Sequence, residues 1–576
     1  MGTIFLRPGN GFLAPAIQPA AIGHPGMIGY SAKAIARWDV VPFQTFTDKF
    51  QIGVIAFHIN GADRVEFSVE GGPTKSRTIM SLNTQTAGPN FAGVVEYTAR
   101  LRASDFKLEQ MIEIRAIVYP RNAGQPTVLA GPIVFGESYP LSEASKGRRS
   151  LFLYADPNNS SFSPVRFVSP AGTDVNNNGQ LPFRTIQAAV QSLQNQYGRV
   201  DGATIYLHEG NYANVWGSYN FLSNRWLTIT SAPGANPQNV KITHRASYQA
   251  TVGLKLLRLK NLTINLEARP EGNTSFTGMY VGSPEYQVKI WFDTVKISGP
   301  EPMSSVFPYL SKTFYFVIAA DGYFTDCEYQ DIRDGLSDAV LVRNTHIRNV
   351  AGDVFSGAQT VVSSSVDNIM FIEAPNPAND PHADVYQSRP WAGVLDNIIV
   401  YGLKATRLQA HGLNIGSIEN TAFVNTLIHP APIPPGGPTG RMVGQYFESM
   451  FGDNMNHVLI WQSTFLNSFT WYGHSNQSNF SIRNSIFGAM SEDTDRGVQR
   501  SIIQNTLAPT SSNNHFINSP LLVGTEVTTG AINLRNTWAL DFRPDSSILL
   551  NRVEEIIVPI DLNLHCLLYT SDAADE

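Results

Sequence analysis

From about residue 225 to residue 505 the chain repeats one local pattern. A short run rich in β-branched and aromatic residues gives way to a turn, and another such run follows. The runs are "WLTITSA", "LLRLKNLTINLE", "VKIWFDTVKISG", "GYFTDCEYQDI", "AVLVRNTHIRNV", "TVVSSSVDNIMFI", "LDNIIVYGLKAT", "IGSIENTAFVNTLI", "HVLIWQSTFLNS" and "FSIRNSIFGAM". Helical periodicity is almost absent, and successive units often fall about 20 residues apart, the length of one solenoid rung. Such units cannot bury a core alone and must stack on their neighbours. Longer gaps, such as "HPAPIPPGGPTG", read as loops thrown out from a rung.

Composition narrows the function classes. The chain has 576 residues, enough for two domains, one of them large. Only 15% of residues are charged, which suits a β-rich surface of Asn, Ser, Thr and Gly. Net charge is −6 with no basic block, so nucleic acid is not an expected partner. No run of about 18 apolar residues occurs, so no membrane span is expected. The opening "MGTIFLRPGNGFLAPAIQPAAIGHPG" lacks a charged segment followed by an apolar core and does not read as a secretory signal.

Ahead of the repeats lie an N-terminal extension (1–24) and a stretch from 25 to 138 of short strands with turns, among them "FQIGVIAFHI", "RVEFSVEGG" and "IEIRAIVYP". Val65, Phe67 and Val69 alternate with polar residues, as do Ile112, Ile114, Ala116 and Val118, which means strands with one buried face. This stretch reads as a β-sandwich and resembles the immunoglobulin-like modules of bacterial surface and polysaccharide-processing proteins. Residues 139–160 read as a linker. Next, "FVSPAGTDVNNNGQLPFRTIQAAVQSL" and "ATIYLHEGNY" give a strand, an Asp/Asn/Gly turn, a short helix near 185–197 and a second strand. In that helix Ile186, Ala189, Val190 and Leu193 share one face. The pairing resembles the opening of right-handed parallel β-helix proteins of the pectate-lyase-like class, where an amphipathic helix covers the open end of the core. The resemblance implies an all-β fold, a β-sandwich followed by a right-handed parallel β-helix over 161–563.

Two further features bear on cofactors and chain ends. "DVNNNG", Asp174 to Gly179, matches the first half of a calcium loop, but its twelfth position is Thr185 and no helix enters it. Calcium is thus one reading, and a turn of αL-tolerant residues is the preferred one. "CLLYTSDAADE", Cys566 to Glu576, resembles the in-frame translation of a sequencing adapter, as expected of an incomplete metagenome-type gene. Setting it aside leaves Cys327, expected to be a buried structural thiol.

Candidate site residues come from aligning rungs. "DGLSDA" from Asp334 and "DVFSGA" from Asp353 share Asp, Ser and Ala, and "ADVYQ", Ala383 to Gln387, aligns with "ATRLQ", Ala405 to Gln409. One column then reads Asp334, Asp353, Asp384, Thr406, and another Ser337, Ser356, Gln387, Gln409. Rungs stack about 4.8 Å apart, so carboxylates in one column repel, and a raised pKa or a captured cation is expected among them. His382 lies two residues before Asp384, Arg389 and Trp391 follow it, and His411 lies two residues after Gln409. The candidate catalytic set is therefore Asp353, Asp384, His382 and Asp334. The candidate substrate-binding set is Arg389, Trp391, Gln387, Gln409 and His411. The competing reading is an Asp/Ser ladder that caps backbone amides at turns.

The family resemblance implies a carbohydrate-active protein, a polysaccharide lyase or glycoside hydrolase acting on an extracellular polysaccharide or cell-surface glycan. "DPHADVYQ" shares Asp380, Pro381 and His382 with the Asp-Pro-His of alginate epimerases. The paired aspartates and Gly-His-Gly of polygalacturonases are not found. The alternative is a non-catalytic glycan-binding phage tail protein, expected to be a trimer, or a surface adhesin. Both readings place the protein outside the cell or on a virion.

Overall fold

The computed structural model describes residues between 32 and 129 and between 151 and 492, plus short strands out to 544. Stretches that include 84–93, 214–224, 245–255, 267–288, 300–320, 370–382, 389–393 and 431–447, with shorter gaps, lie outside the described residues.

Parallel register defines the large unit. Each rung contributes up to three strands, and each strand pairs with its counterparts one rung before and one rung after. Wall A runs through Val165–Val168, Thr204–Leu207 and Leu227–Ser231, the first halves of Leu256–Leu266 and Lys289–Ser298, then Asp321–Thr325, Ala339–Arg343, Thr360–Val362, Leu395–Tyr401, Ile418–Val424 and Asn454–Trp461. Wall B runs through Gly210–Ala213, Val240–His244, the second halves of the two long strands, Glu328–Ile332, His346–Val350, Ser365–Ile369, Lys404–Leu408 and Leu427–Pro430. Wall C holds Leu336–Ser337, Phe355–Ser356, Asp384–Gln387, His411–Ile415 and Glu448–Phe451. The fold is a right-handed parallel β-helix, the hand following from the chirality of parallel crossovers.

The A-to-B corner shows how local sequence sets this shape. At each rung one residue takes a left-handed conformation: Asn261, Thr294, Asp326, Asn344, Ser363, Gly402 and Asn425. Asn, Asp and Gly tolerate that region best, which explains their recurrence there. The next residue on each rung is buried, giving the column Leu262, Val295, Cys327, Thr345, Ser364, Leu403 and Thr426. Cys327 is thus a corner residue. Burial pushes its thiol up to about 12, so it stays protonated. Inside, residues stack by rung: the Phe292 and Phe324 rings lie 4.8 Å apart at 7°, one rung spacing.

The helix Ile186–Tyr197 buries Ile186, Ala189, Val190 and Leu193 over the first rungs. Thr185 caps it, accepting from the Ala188 N–H at 3.1 Å, and Gly198 ends it in the left-handed region. Asp174 Oδ1 accepts from the Arg184 and Thr185 amides, and Oδ2 from the Thr185 hydroxyl. Its oxygens therefore brace the helix start, which is the turn reading of "DVNNNG".

The N-terminal unit is a β-sandwich. One sheet joins Ile35–Trp38, Lys49–Phe57, Val94–Arg102 and Met80–Asn83, and the other is centred on Gln110–Pro120 and Ala62–Val69. Leu151–Ala155, in the stretch expected to be linker, is a strand of the second sheet, antiparallel to Gln110–Pro120. The sandwich lies along the outer face of wall A. Ile35, Phe43, Ile55 and Phe57 form one cluster with Trp226, Trp291, Tyr401 and Trp461. Phe57 meets the Tyr401 and Trp461 rings edge-on at 5.6 and 6.3 Å. The polar contacts are specific. Asn397 takes a left-handed conformation, donates to the Ala36 carbonyl at 2.7 Å and accepts from the Ala36 N–H at 2.8 Å, so its amide continues the sheet edge. His457 Nε2 accepts from the Ile59 N–H, with the His58 ring 4.9 Å away.

Candidate functional site

The sandwich covers wall A from Trp226 to Trp461, and walls B and C lie away from it. Wall C has the shortest strands among the described residues. Leu336, Phe355, Tyr386 and Leu413 are in register and fill the core, and the Tyr386 hydroxyl donates to the Ala358 carbonyl at 2.6 Å. The next register position holds Ser337, Ser356, Gln387 and Asn414.

The aspartates sit where each rung enters this wall. The Gly335 N–H donates to the Asp353 carbonyl at 2.6 Å, and the Val354 N–H to the Asp384 carbonyl at 2.8 Å. Rungs converge so closely here that a Cβ on Gly335 would stand 2.1 Å from the Val354 oxygen. Continuing the register places Asp353 beside Asp384, and Asp384 pairs directly with His411. Asp353 is half-buried, and its Oδ2 accepts from the Ser356 hydroxyl at 3.4 Å. Asp384 is 0% exposed, and its Oδ2 accepts from the Asn414 amide at 3.3 Å. His411 is buried, while Gln387 and Asn414 are half-buried. Two carboxylates and an imidazole therefore occupy three consecutive rungs, with amides beside them. Such a set can exchange protons with a bound group and hold its hydroxyls. Among the described residues, no three or more His, Cys, Asp or Glu are gathered to hold a metal ion.

The structure brings some expected residues together and separates others. Ser337, Ser356 and Gln387 share a column as the sequence suggested. The fourth rung differs. Thr406 is on wall B, paired with Asp367, and Gln409 follows the wall B strand, its N–H donating to the Ile369 carbonyl. The true successors of Asp384 and Gln387 are His411 and Asn414. "ADVYQ" and "ATRLQ" look alike but belong to wall C of one rung and wall B of the next, and the number of residues per rung is too irregular to count. Asn414 was missed, although "DVYQ" and "HGLN" share a polar–x–apolar–polar order that could have found it. Asp334, His382, Arg389 and Trp391 lie outside the described residues.

No family model and no curated protein matches the chain. Two solved structures are similar. One is titled pectate lyase Pel9A, at 13% identity and a TM-score of 0.26 over 65% of this chain and 80% of that one. The other is the A-module of the Azotobacter vinelandii mannuronan C-5 epimerase AlgE6, at 12% identity and 0.22 over 60% and 93%. The fold assignment rests on the strand register, not on these likenesses.

Proposed function

We propose that the protein is a carbohydrate-active β-helix protein whose wall C site acts on an extracellular polysaccharide, as a glycoside hydrolase or a polysaccharide lyase. The observation that carries this reading is the placement of Asp353 and Asp384 on adjacent rungs with His411 next in line. Adjacent rungs stand about 4.8 Å apart, which brings the two aspartates within reach of one substrate bond. In a hydrolase, Asp353, the more exposed of the two, meets the sugar first and exchanges the proton with the glycosidic oxygen. In a lyase, His411 is the base among the described residues that abstracts the proton next to the uronate carboxyl, with His382, outside the described residues, the alternative. Gln387 and Asn414 hold sugar hydroxyls in either case.

The second reading is a non-catalytic phage tail or surface adhesin protein that binds glycan. Its support is the complete burial of Asp384 against Asn414, which also suits a structural ladder. A depolymerisation screen separates the two. Acidic and neutral polysaccharides are incubated with the protein, with calcium or with chelator, and new reducing ends and unsaturated uronate are both measured. Product that disappears in Asp353→Asn identifies an enzyme and its bond chemistry. No product from folded protein on any substrate refutes the enzyme reading.

A further inference from the structure

Wall B carries a second feature that the wall C site does not use. Its outer positions form two straight neighbouring columns. The first reads Lys241, Thr263, Lys296, Glu328, His346, Ser365, Lys404. The second includes Ser298, Gln330, Arg348, Asp367 and Thr406, with Arg407 beside Thr406. Five permanent cations (Lys241, Lys296, Arg348, Lys404 and Arg407) share this face with three carboxylates, Glu328, Asp367 and Asp331, the last in the same column as Arg407, a net +2 on a chain whose overall charge is −6. The carboxylates are already engaged. Glu328 lies between Lys296, at 3.5 Å, and Arg348, at 2.6 Å, and Asp367 is held by Arg407 and the Thr406 hydroxyl. The corresponding wall C column, Ser337, Ser356, Gln387 and Asn414, holds no charge.

We infer that the outer face of wall B binds an acidic polysaccharide, laid as an extended chain along the solenoid axis. From Lys241 to Lys404 the first column spans six rung steps, roughly 29 Å at about 4.8 Å each. One step is close to the length that a single sugar adds to an extended chain, and the cations fall on every second rung (Lys241, Lys296, Arg348, then Lys404 with Arg407), so carboxylates on alternate sugars meet them. The columns are straight because stacking keeps a solenoid wall flat, so they suit a linear polyanion. The excess positive charge is the complementarity that selects an acidic over a neutral glycan. This inference rests on the polysaccharide reading for its class of partner but uses a different face, so it can fail separately.

The test is affinity electrophoresis of the full chain through gels containing polygalacturonate, alginate or dextran. Lys241→Gln/Lys404→Gln removes the two cations at the ends of the first column, and Lys241→Arg/Lys404→Arg keeps the charge. The expected result is retardation by the polyuronates but not by dextran, weakened about fivefold or more in the Gln variant, kept in the Arg variant and relieved by salt. The Lys241→Gln/Lys404→Gln protein should still give product in the depolymerisation screen, which separates this face from wall C. Equal retardation of wild type and Gln variant, with matching circular dichroism, overturns the inference. Retardation by dextran overturns the acidic specificity, and equal retardation by single-stranded DNA overturns the saccharide assignment.

Discussion

Asn397 offers the sharpest test of how the sandwich is fixed to the β-helix. Its amide makes two hydrogen bonds to the Ala36 backbone, at 2.7 and 2.8 Å, in a fully buried setting, and its φ is +63°. In Asn397→Ala both Ala36 groups lose their partner, at about 1–3 kcal/mol each. A left-handed alanine adds about 1 kcal/mol that asparagine tolerates better. The predicted total is roughly 3–7 kcal/mol of local stability. Asn397→Gly removes the same hydrogen bonds without the backbone strain and should be milder than Ala by about 1 kcal/mol. Chains of several domains do not unfold in two states, so the assay is amide hydrogen exchange of strand Ile35–Trp38. The Ala36 amide should lose protection by a factor on the order of 100 or more, the equivalent of about 3 kcal/mol, while Phe292 in the helix core keeps its own. Unchanged exchange at Ala36 in Asn397→Ala would refute the docking described here.

Four other outcomes are expected. Phe324→Ala removes half of the Phe292–Phe324 stack and should cost about 3–5 kcal/mol, read as a lower denaturation midpoint; a shift under a degree would contradict the packing. Burial lowers the His58 pKa to about 4 and holds His457 well below its ordinary value, so both are neutral when folded. The unfolded chain takes up protons first, so stability should fall as pH drops from about 6.5 toward 4, and His58→Gln should flatten that acid limb in melts. Glu96 behaves oppositely. Burial first, and the nearby Asp39 charge second, raise its pKa well above the ordinary value. Its contribution is complete below the unfolded carboxylate pKa and is lost as pH rises through the raised one, so Glu96→Gln should gain relative stability toward alkaline pH. Gly53→Ala would put a methyl group 2.0 Å from Glu96 Oε2 and should lower the melting temperature of the sandwich, which Glu96→Ala in the same chain should partly restore.

The rung pattern was readable because a solenoid repeats its local rules. The αL residue at each A-to-B corner, such as Asn261, Asn344 and Asn425, is visible as a recurring Asn, Asp, Ser or Gly, and the helix Ile186–Tyr197 shows its buried stripe plainly. The docking of the sandwich was also written in the chain but was not recognised. Wall A strands such as "LDNIIVY" and "NHVLIW" are apolar on both faces, whereas a wall facing water alternates. Ile399, Tyr401 and Trp461 point outward only because something covers them. The site was half legible. The Ser337–Ser356–Gln387 column followed from neighbouring rungs of similar wording. Its continuation to Asn414 did not, because the residues between wall C strands vary in number and a likeness of letters in Ala405–Gln409 competed with the true register. The cations of wall B are scattered in sequence, from Lys241 to Arg407, and only register gathers them.

The claim at the centre of this account is that wall C meets the polysaccharide. It is tested most directly by a crystal structure of the Asp353→Asn protein with a bound oligosaccharide cut from whichever polymer the screen selects. The account predicts sugar density over wall C, with a glycosidic oxygen or uronate carbon within hydrogen-bond reach of residue 353 and hydroxyls on Gln387 and Asn414. Sugar bound elsewhere on the molecule, with wall C bare at saturating ligand, would contradict it.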